Sequence, residues 1–477
     1  MVNEWDLQSI IYSTLKTQIE FGIYRFGECL PAMEDLSDLL FISIDTARLA
    51  YRRLGKDGYI SLSKNVGSVV KVDFRKEDIE QNVQDYFSER KDALLDLCHS
   101  MPFLFGSLQL YAWKNASAQA LDKLEGLTLP DRILPSYKLM HYLPLLYGSL
   151  ENNLLMRLIC RICLLTIAPL LSLEDFREYH FFEESAFLRQ LTFCRDKNWT
   201  ALRTASRENM ASFSRAVELF FTSRITAADP TLQRRFTWNS YKKSSQLCYS
   251  LGMELMTAIS RGIYPPGSFL PSLVRLAEEK QVSISTVRRT LSLLNSLGRT
   301  KSVNGIGTQV LPMEEIEGNC DFSNPAVQGR LLDFFQSLQI CAFSCRDTAE
   351  ATVMALDPSS CRQWIDSLLC FKKAGRPDLL SSYCIEFISL FAPYQGVRTV
   401  YAELFKQLIW GYPLRLRLDQ QVSANRYYLP YLDSMVQSLE CCDASGFAEK
   451  LEEVLLHQTN AIAALLAEAG IKARPAC

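Results

Sequence analysis

The sequence predicts a mainly α-helical chain built as a tandem repeat, in which each half contains three helices, a β-hairpin and then an all-helical bundle. Three observations support this fold class. The chain has 477 residues, which is too long for one compact domain of the usual size of roughly 100–200 residues. Residues 21–70 are repeated at 261–310 without a gap. The stretches after each copy show apolar residues at helical spacing and almost no strand pattern.

The composition is that of an ordinary globular protein. Hydrophobic residues make up 48% of the chain and charged residues 22%, and the formal net charge is -2, which excludes a disordered, collagen-like or coiled-coil chain. The most apolar window, 154–171, contains Arg157, Arg161 and Pro169, so it predicts a buried helix and no membrane contact. The first residues, MVNEWDLQ, contain no signal-peptide pattern. We therefore expect a cytoplasmic protein whose 15 scattered cysteines stay reduced.

The internal repeat is carried by residues with structural roles. At an offset of 240 residues, 15 of 50 positions are identical, and they fall at glycines, prolines and helix-spaced apolar sites. The segment FGIYRFGECLP at 21–31 matches RGIYPPGSFLP at 261–271. Chance would not concentrate identities at such positions, so we expect both copies to share one fold.

Each copy predicts the same order of elements. A first amphipathic helix ends at a glycine, Leu-Pro opens a short second helix, and Ser43 or Ser283 caps a third. Two short strands follow, and Asn304-Gly305 is a strong hairpin turn in the second copy. The predicted spans are 7–21, 33–40, 43–54 and a hairpin over 59–72, then 247–259, 273–280, 283–294 and a hairpin over 299–311. Three helices and a β-hairpin form a winged helix-turn-helix.

These residues resemble the DNA-binding domain of GntR-type transcriptional regulators. The second copy gives the better match, with IYPPGSFLPS at 263–272 followed by VSISTVR at 282–288. The resemblance covers about 70 residues in each half and implies double-stranded DNA as a partner. Two positions depart from the family pattern: where it commonly has arginine, this chain has Glu34 or Val274 in the second helix and Ile44 or Ile284 in the third. The DNA sequence preference of the family therefore does not transfer.

In a winged helix-turn-helix, the third helix enters the major groove, with its first residues near base edges. Arginine pairs with guanine or grips phosphate, while serine and threonine serve either role. The candidate DNA-binding residues of the first copy are Ser43, Asp45, Thr46, Arg48, Arg52 and Lys64. Those of the second copy are Ser283, Ser285, Thr286, Arg288, Arg289, Lys301, Asn304 and Thr308. Because the two sets differ, they predict a DNA site with two unlike halves.

Charge separates the two copies. Residues 1–75 hold nine Lys/Arg and ten Asp/Glu, a net of -1, whereas residues 241–312 hold nine Lys/Arg and three Asp/Glu, a net of +6. Because neutralising phosphates supplies much of the affinity for DNA, we expect the second copy to bind more strongly. The alternative for the first copy is a degenerate domain retained for dimer-like packing.

The remaining segments predict two helical bundles, with breaks at prolines such as Pro102 and Pro144. The predicted domains are winged helices at 1–75 and 241–312, each followed by an effector or dimerisation-like bundle, at 76–236 and 313–477. This layout is similar to regulators with an FCD-type effector domain, which often holds a metal through three histidines and an aspartate. The chain has only His99, His141, His180 and His457, and Ser185 and Arg207 stand where the later ligands would align. We therefore expect no metal and no cofactor.

Basic residues in the bundles are candidates for effector binding. Arg157 and Arg161 are four residues apart on an apolar helix and share a face. A buried basic pair would hold a carboxylate or another small metabolite, and Lys406 matches Arg161 in the second half. The alternative is that both arginines extend to solvent or pair with Glu151 or Glu174.

The motifs of common enzymes are missing: the sequence has no GxxxxGK[ST], GxGxxG after a strand, HExxH or GxSxG. The sequence predicts a ligand-responsive bacterial transcriptional regulator, not an enzyme, whose fused halves act as a pseudo-dimer on a two-part operator. Two alternatives stay open. In one, only the second winged helix binds DNA and two chains form a homodimer. In the other, the winged helices are degenerate and the chain is a protein-interaction scaffold.

Overall fold

The computed structural model describes residues 7–40, 42–63, 67–128, 135–173, 175–179, 184–226, 233–240, 246–414 and 424–475. It divides into two compact units, one built from residues 1–237 with 394–396 and the other from 238–393 with 397–477. Each unit contains a winged helix-turn-helix and a helical bundle, so the predicted fold class is confirmed.

The first winged helix follows the predicted order. Its elements are α1 (Leu7–Glu20), α2 (Met33–Leu40), α3 (Ile44–Lys56), β1 (Ile60–Ser63) and β2 (Gly67–Val70). The strands pair antiparallel, with Ile60 opposite Val70. Ser43 caps α3, because its hydroxyl accepts from the backbone N–H of Thr46 at 3.1 Å.

The first bundle contains eight helices in its described part. They are α4 (Lys76–Ser88), α5 (Lys91–Asn115), α6 (Ala118–Gly126), α7 (Pro135–Tyr147), α8 (Asn153–Leu165), α9 (Ile167–Leu171), α10 (Glu184–Arg195) and α11 (Trp199–Ser223), with 3₁₀ turns at Gly148–Leu150 and Asp175–Tyr179. The long helices α5 and α11 pack side by side, and their apolar faces form the core of this bundle.

Pro102 and Pro144 lie inside α5 and α7, so the helix breaks predicted at these two prolines are wrong. A proline inside a helix leaves the carbonyl four residues earlier without its N–H donor. For Pro102 that carbonyl belongs to Cys98, and the hydroxyl of Ser214 on α11 donates to it at 3.0 Å. A neighbouring helix thus supplies the hydrogen bond that the proline removes.

The second winged helix repeats the first. Its elements are α12 (Leu247–Ser260), α13 (Leu273–Lys280), α14 (Ile284–Ser296), β3 (Thr300–Val303) and β4 (Gly307–Val310). The strands pair antiparallel, with Thr300 opposite Val310. The predicted Asn304-Gly305 turn is present, and Gly305 has φ of 75°, a left-handed conformation that glycine adopts without strain.

The second bundle is built around a 31-residue helix. Its elements are α15 (Ile316–Asn319), α16 (Pro325–Ala355), α17 (Pro358–Lys373), α18 (Leu380–Phe391), α19 (Gln395–Gln407), α20 (Ala424–Glu440) and α21 (Ala444–Glu468), with 3₁₀ turns at Met313–Glu315, Pro377–Leu379 and Leu408–Leu414. Helix α16 packs along α21, and the fully buried rings of Trp364 and Trp410 belong to this bundle's core.

Each winged helix packs on the bundle of its own unit. In the first unit α1 contacts α8 and α9, and α2 contacts α7. In the second unit α12 contacts the 3₁₀ turn at Leu408–Leu414, where the ring of Trp410 lies against Gly252. The end of α14 is fixed as well, since Asp321 N donates to the Ser296 carbonyl at 2.8 Å. The winged helices are therefore integrated into their units through side-chain and backbone contacts.

Two further expectations are tested by the described residues. All fourteen cysteines in that part of the chain are free thiols, and burial raises the pKa of several of them, including Cys163 and Cys384. Among the helices described, none is both long and apolar enough to cross a membrane.

Candidate nucleic-acid interface

The start of α14 is organised by its capping serine. The Ser283 hydroxyl accepts from Thr286 N at 3.1 Å and lies 2.8 Å from the Ser285 hydroxyl and 2.9 Å from the Thr286 hydroxyl. Behind them, Val287 and Thr290 are fully buried, and Thr290 Oγ1 donates to the Cys248 carbonyl of α12 at 3.1 Å. This packing holds the first turn of α14 at the surface with its polar side chains outward.

Arg288 and Arg289 are both exposed on α14. Arg288 forms no ion pair with any residue that the structure describes, so its guanidinium is available to a phosphate or a guanine edge. On the hairpin, Lys301 and Asn304 are exposed and Thr308 is half-buried. The sites predicted on the second copy thus occupy surface positions on the third helix and the wing.

The first copy presents a different surface. Ser43 and Asp45 are exposed at the start of α3 and Thr46 is half-buried, but Arg48 is held in an ion pair with Asp45. Arg52 is exposed, while Leu49, 45% exposed, stands where the second copy has Arg289. Lys64 lies outside the described residues. A carboxylate beside the main arginine reduces the positive charge that α3 offers to DNA.

The second helices of the two copies also differ in charge, and again the first copy is the more acidic. The first turn of α2 carries Glu34 and Asp35, whereas the first turn of α13 has no acidic residue and is capped by Ser272. The N-terminus of a helix attracts phosphate through its free N–H groups and dipole. Acidic side chains there oppose a phosphate, so only α13 is suited to contact the DNA backbone in this way.

Exposed apolar side chains are a feature of both copies whose role the sequence did not indicate. Ile44 and Ile284, which replace the arginine common in the resembled family, are 40% and 43% exposed at the starts of the third helices. Ile306 at the tip of the second wing is 69% exposed. Exposed apolar side chains at the start of a recognition helix can contact thymine methyl groups in the major groove. Their exposure, which spacing alone did not reveal, is the signal that identifies them.

The candidate effector residues are placed differently from one another. Arg161 is 5% exposed, donates to the backbone carbonyl of Thr237 and lies 6.0 Å from the centroid of the Phe236 ring. Arg157 is exposed and forms no ion pair in the described part of the chain. The two arginines therefore do not form a buried pair, because the first turns of α8 leave Arg157 at the surface. Of the two acidic partners considered, Glu174 lies outside the described residues.

Lys406 is also exposed, with 61% of its side chain accessible and its Nζ 3.6 Å from Glu403. The neighbouring Gln407 is the residue that resembles Arg161 in burial, since it is fully buried and donates to Ser240 Oγ at 2.5 Å. A role for Arg157, Arg161 and Lys406 in effector binding stays a prediction.

No set of three or more His, Cys, Asp or Glu side chains within the described residues has a geometry that could hold a metal ion. His99 forms a 3.0 Å contact with Glu218, and His457 stacks on Tyr427 with ring centroids 4.0 Å apart. His180 lies outside the described residues. Ser185 and Arg207, noted where metal ligands would align, are both on helices, α10 and α11.

The described residues define the fold class of this protein: it contains two winged helix-turn-helix domains, each with an exposed start to its third helix. Residues 7–70 and 250–310 match the profile of the bacterial regulatory proteins, gntR family, and together they make up about a quarter of the chain. Both winged helices are therefore gntR-family domains. The profile does not extend to the helical bundles, and their likeness to the FCD domain stays a prediction.

Solved structures with similarity to the chain include three bacterial proteins. Streptococcus agalactiae GntR is 18% identical, over 44% of this chain and 98% of that one, with a TM-score of 0.20. E. coli McbR/YncC is 16% identical, over 46% and 99%, with a TM-score of 0.22. A GntR family member from Pseudomonas syringae is 16% identical, over 49% and 92%, with a TM-score of 0.20. Likenesses this distant add nothing to the assignment, which rests on the family profile. No curated protein matches the chain in sequence.

Proposed function

We propose that this chain is a gntR-type transcriptional regulator that binds a two-part operator with its two winged helices, so that one chain acts as the fused counterpart of a dimer. Dimeric regulators match their two-fold axis to a palindromic site. Fusion of two copies removes the requirement that both half-sites be the same. The chain would then read two unlike half-sites in the cytoplasm of a bacterium.

One observation carries this proposal. The third helices keep the same frame, with a capping serine, an isoleucine, a threonine and an arginine at equivalent positions, yet they differ at exposed positions next to these residues. Asp45 and Leu49 in α3 correspond to Ser285 and Arg289 in α14. Recognition of two different DNA sequences requires this pattern, in which the structural residues of the helix are kept and its exposed side chains differ.

We further propose that a small molecule in a helical bundle regulates DNA binding. An effector can shift the population of a regulator only by binding one conformation better than another. In both units the winged helix packs on its bundle, so a ligand that changes this packing would also change the placement of the recognition helix.

The experiment that tests the proposed operator is the selection of bound sequences from a random pool of double-stranded DNA. Three proteins are compared: wild type, Arg288→Ala/Arg289→Ala and Arg48→Ala/Arg52→Ala. We expect the wild type to enrich a motif of two unlike halves, with each double variant losing sequence information in a different half. Each variant removes two exposed arginines, so a circular dichroism spectrum equal to that of the wild type serves as the folding control.

Two other results would replace the proposal. Two equal half-sites that both depend on Arg288 and Arg289 would show that only the second winged helix binds DNA and that two chains form the complex. No enriched motif, with binding that salt removes uniformly for all sequences, would leave a protein-interaction scaffold.

A further inference from the structure

The second unit contains a cleft between its winged helix and its bundle, and we propose that this cleft binds a small zwitterion with an apolar body, of the apolar amino-acid type. Its volume is about 1000 Å³, at the upper end of ordinary ligand pockets. Its lining comes from α12 and the turn after it, including Arg261 and Ile263, and from α18 and α19 of the bundle. The site deepens the proposed regulation, but its existence does not depend on DNA binding.

Apolar side chains line much of the cleft, together with one buried hydrogen-bond acceptor that has no partner. The apolar residues that line it include Met253, Phe334, Leu338 and Phe405. Gln458 also lines the cleft, and its Oε1 is buried without a hydrogen-bond partner. A buried acceptor without a partner costs about 1–3 kcal/mol, so the cleft favours a ligand that brings a donor together with an apolar surface.

Most of the charged groups in the cleft are already paired. Lys280 Nζ lies 2.8 Å from Glu254, and Lys406 Nζ lies 3.6 Å from Glu403. The Glu403 carboxylate is almost fully buried and accepts from Ser240 N at 2.8 Å and from Ser240 Oγ at 2.7 Å. These charged groups are therefore already engaged with one another and with Ser240.

Two charged residues are the exception. Arg261, at the end of α12, and Glu386, on α18, line the cleft but form no ion pair with any described residue. They have opposite charges, and one belongs to the winged helix and the other to the bundle. The ligand that satisfies both carries a carboxylate for Arg261 and an ammonium group for Glu386. An apolar side chain on the same molecule would cover the apolar lining.

In the first unit the winged helix is joined to its bundle by side chains, because the Tyr137 hydroxyl on α7 lies 2.9 Å from the Tyr24 hydroxyl and donates to Gln18 Oε1 at 3.2 Å. In the second copy the position of Gln18 is Ala258. Ala258 and Ser382 both line the cleft. A small residue, Ala258, thus stands where the first unit has the glutamine that bonds to its bundle.

The remaining member of that trio is Tyr264, the counterpart of Tyr24. Its hydroxyl forms no hydrogen bond within the part of the chain that the structure describes. A ligand held between Arg261 and Glu386 would join the winged helix to the bundle where the first unit is joined by its own side chains. Occupancy would therefore fix the position of the second recognition helix.

Isothermal titration calorimetry on the full chain, without DNA, tests the site. The probes are L-leucine and L-phenylalanine, with isopentylamine and 4-methylpentanoate as matched compounds that keep the apolar body and one charge. We expect at least one amino acid to bind, and the single-charge compounds to bind at least tenfold more weakly. Arg261→Met and Glu386→Gln, both at accessible positions, should each weaken amino-acid binding at least tenfold.

A closing variant supplies an independent check. Ala258→Gln/Ser382→Tyr places two larger side chains at lining positions of the cleft, so it should abolish binding while the protein stays folded. Arg288→Ala/Arg289→Ala is the matched control, and it should bind the amino acid as the wild type does. The proposal is overturned if no apolar amino acid binds, or if binding is unaffected by Arg261→Met, Glu386→Gln and the closing variant.

The link to DNA is measured separately, as operator affinity with and without the bound amino acid. A change of at least threefold that disappears in Glu386→Gln supports the coupling, and an unchanged operator affinity contradicts it while leaving the binding site established. Failure of the DNA selection would remove the operator but would not alter the calorimetry, so the two proposals fail in distinguishable ways.

Discussion

Asp45 and Ser285 occupy equivalent positions in the first turns of the two recognition helices, and the residue there decides how the next arginine is used. Asp45 is 80% exposed and pairs with Arg48 across three residues. Ser285 carries no charge and leaves Arg288 without an ion pair among the described residues. A carboxylate beside the DNA phosphates also repels them. The first copy therefore presents a weaker electrostatic surface than its arginine count suggests.

Exchanging the residues at these two positions should strengthen binding to the first half-site and weaken binding to the second. We expect Asp45→Ser to strengthen binding to the first half-site by about fivefold, roughly 1 kcal/mol, because Arg48 is released and one negative charge is lost. Ser285→Asp should weaken binding to the second half-site by a similar factor. Fluorescence anisotropy with labelled duplexes that keep one half-site and randomise the other measures both effects.

Asp45→Asn is the control for this exchange, since it removes the charge but keeps the size of the side chain. It should give most of the gain of Asp45→Ser if electrostatics is the cause. An unchanged affinity for the first half-site in both variants would mean that α3 does not approach DNA, in agreement with a degenerate first copy.

At the scale of the elements, the contact between α12 and its bundle depends on a glycine. A Cβ atom at Gly252 would lie 2.9 Å from the ring of the fully buried Trp410. We expect Gly252→Ala to lower the free energy of unfolding of the second unit by about 1–3 kcal/mol, because the well-packed ring cannot move away without cost. Urea denaturation followed by tryptophan fluorescence measures the change.

Gly329, in α16, is the matched control. A Cβ atom there would meet no heavy atom within 4 Å, and alanine is the better helix former. Gly329→Ala should therefore leave the unfolding midpoint unchanged or raise it slightly. Equal effects of the two substitutions would contradict the role given to Trp410.

The first winged helix is fixed to its bundle by hydrogen bonds instead. Tyr137→Phe removes the hydroxyl that contacts both Tyr24 and Gln18, and Gln18 is only 1% exposed. We expect a loss of about 1–3 kcal/mol from the first unit, because buried polar groups lose their partners. Hydrogen exchange of α1 and α7, measured by mass spectrometry, should rise in this variant.

Tyr264→Phe tests the same substitution where no hydrogen bond is broken, since the Tyr264 hydroxyl has none among the described residues. The free energy of unfolding should change by less than about 0.5 kcal/mol. A similar loss in both variants would indicate that ring packing, rather than the hydroxyl network, holds the winged helix.

The helices and the hairpin of each copy could be predicted because short sequence patterns specify them. The order of three helices and a hairpin in each copy follows from Ser43 and Ser283 as caps and from the Asn304-Gly305 turn, which act over a few residues. Pro102 was mistaken for a helix break because the donor that compensates it, Ser214, lies 112 positions away on another helix. The cleft was not predicted either, because it depends on Ala258 and Ser382, which only the fold brings together. Sequence patterns over a few residues were sufficient to predict the fold of each copy, but the cleft depends on contacts between residues far apart in the chain.

For the whole molecule, the charge difference between the copies sets the order in which they meet DNA. The second winged-helix segment carries a net of +6 and the first a net of -1, and long-range attraction to phosphate accelerates encounter. The second copy should therefore make the first contact and supply most of the salt dependence, while the first copy adds selectivity once the chain is on its site. A fused pair benefits from this division, because the second binding event occurs within one complex at a high effective concentration.

The number of chains on the operator separates the fused pair from a homodimer. We expect one chain to occupy one complete operator, because each chain already contains two gntR-type domains. Analytical ultracentrifugation of the chain with a labelled duplex should give a complex of one protein and one DNA, and moving the half-sites apart by five base pairs should weaken it sharply, since this places them on opposite faces of the duplex. Arg288→Ala/Arg289→Ala should lower affinity without changing the one-to-one ratio. Two chains on each operator, with both half-sites sensitive to Arg288, would instead assign DNA binding to the second winged helix alone.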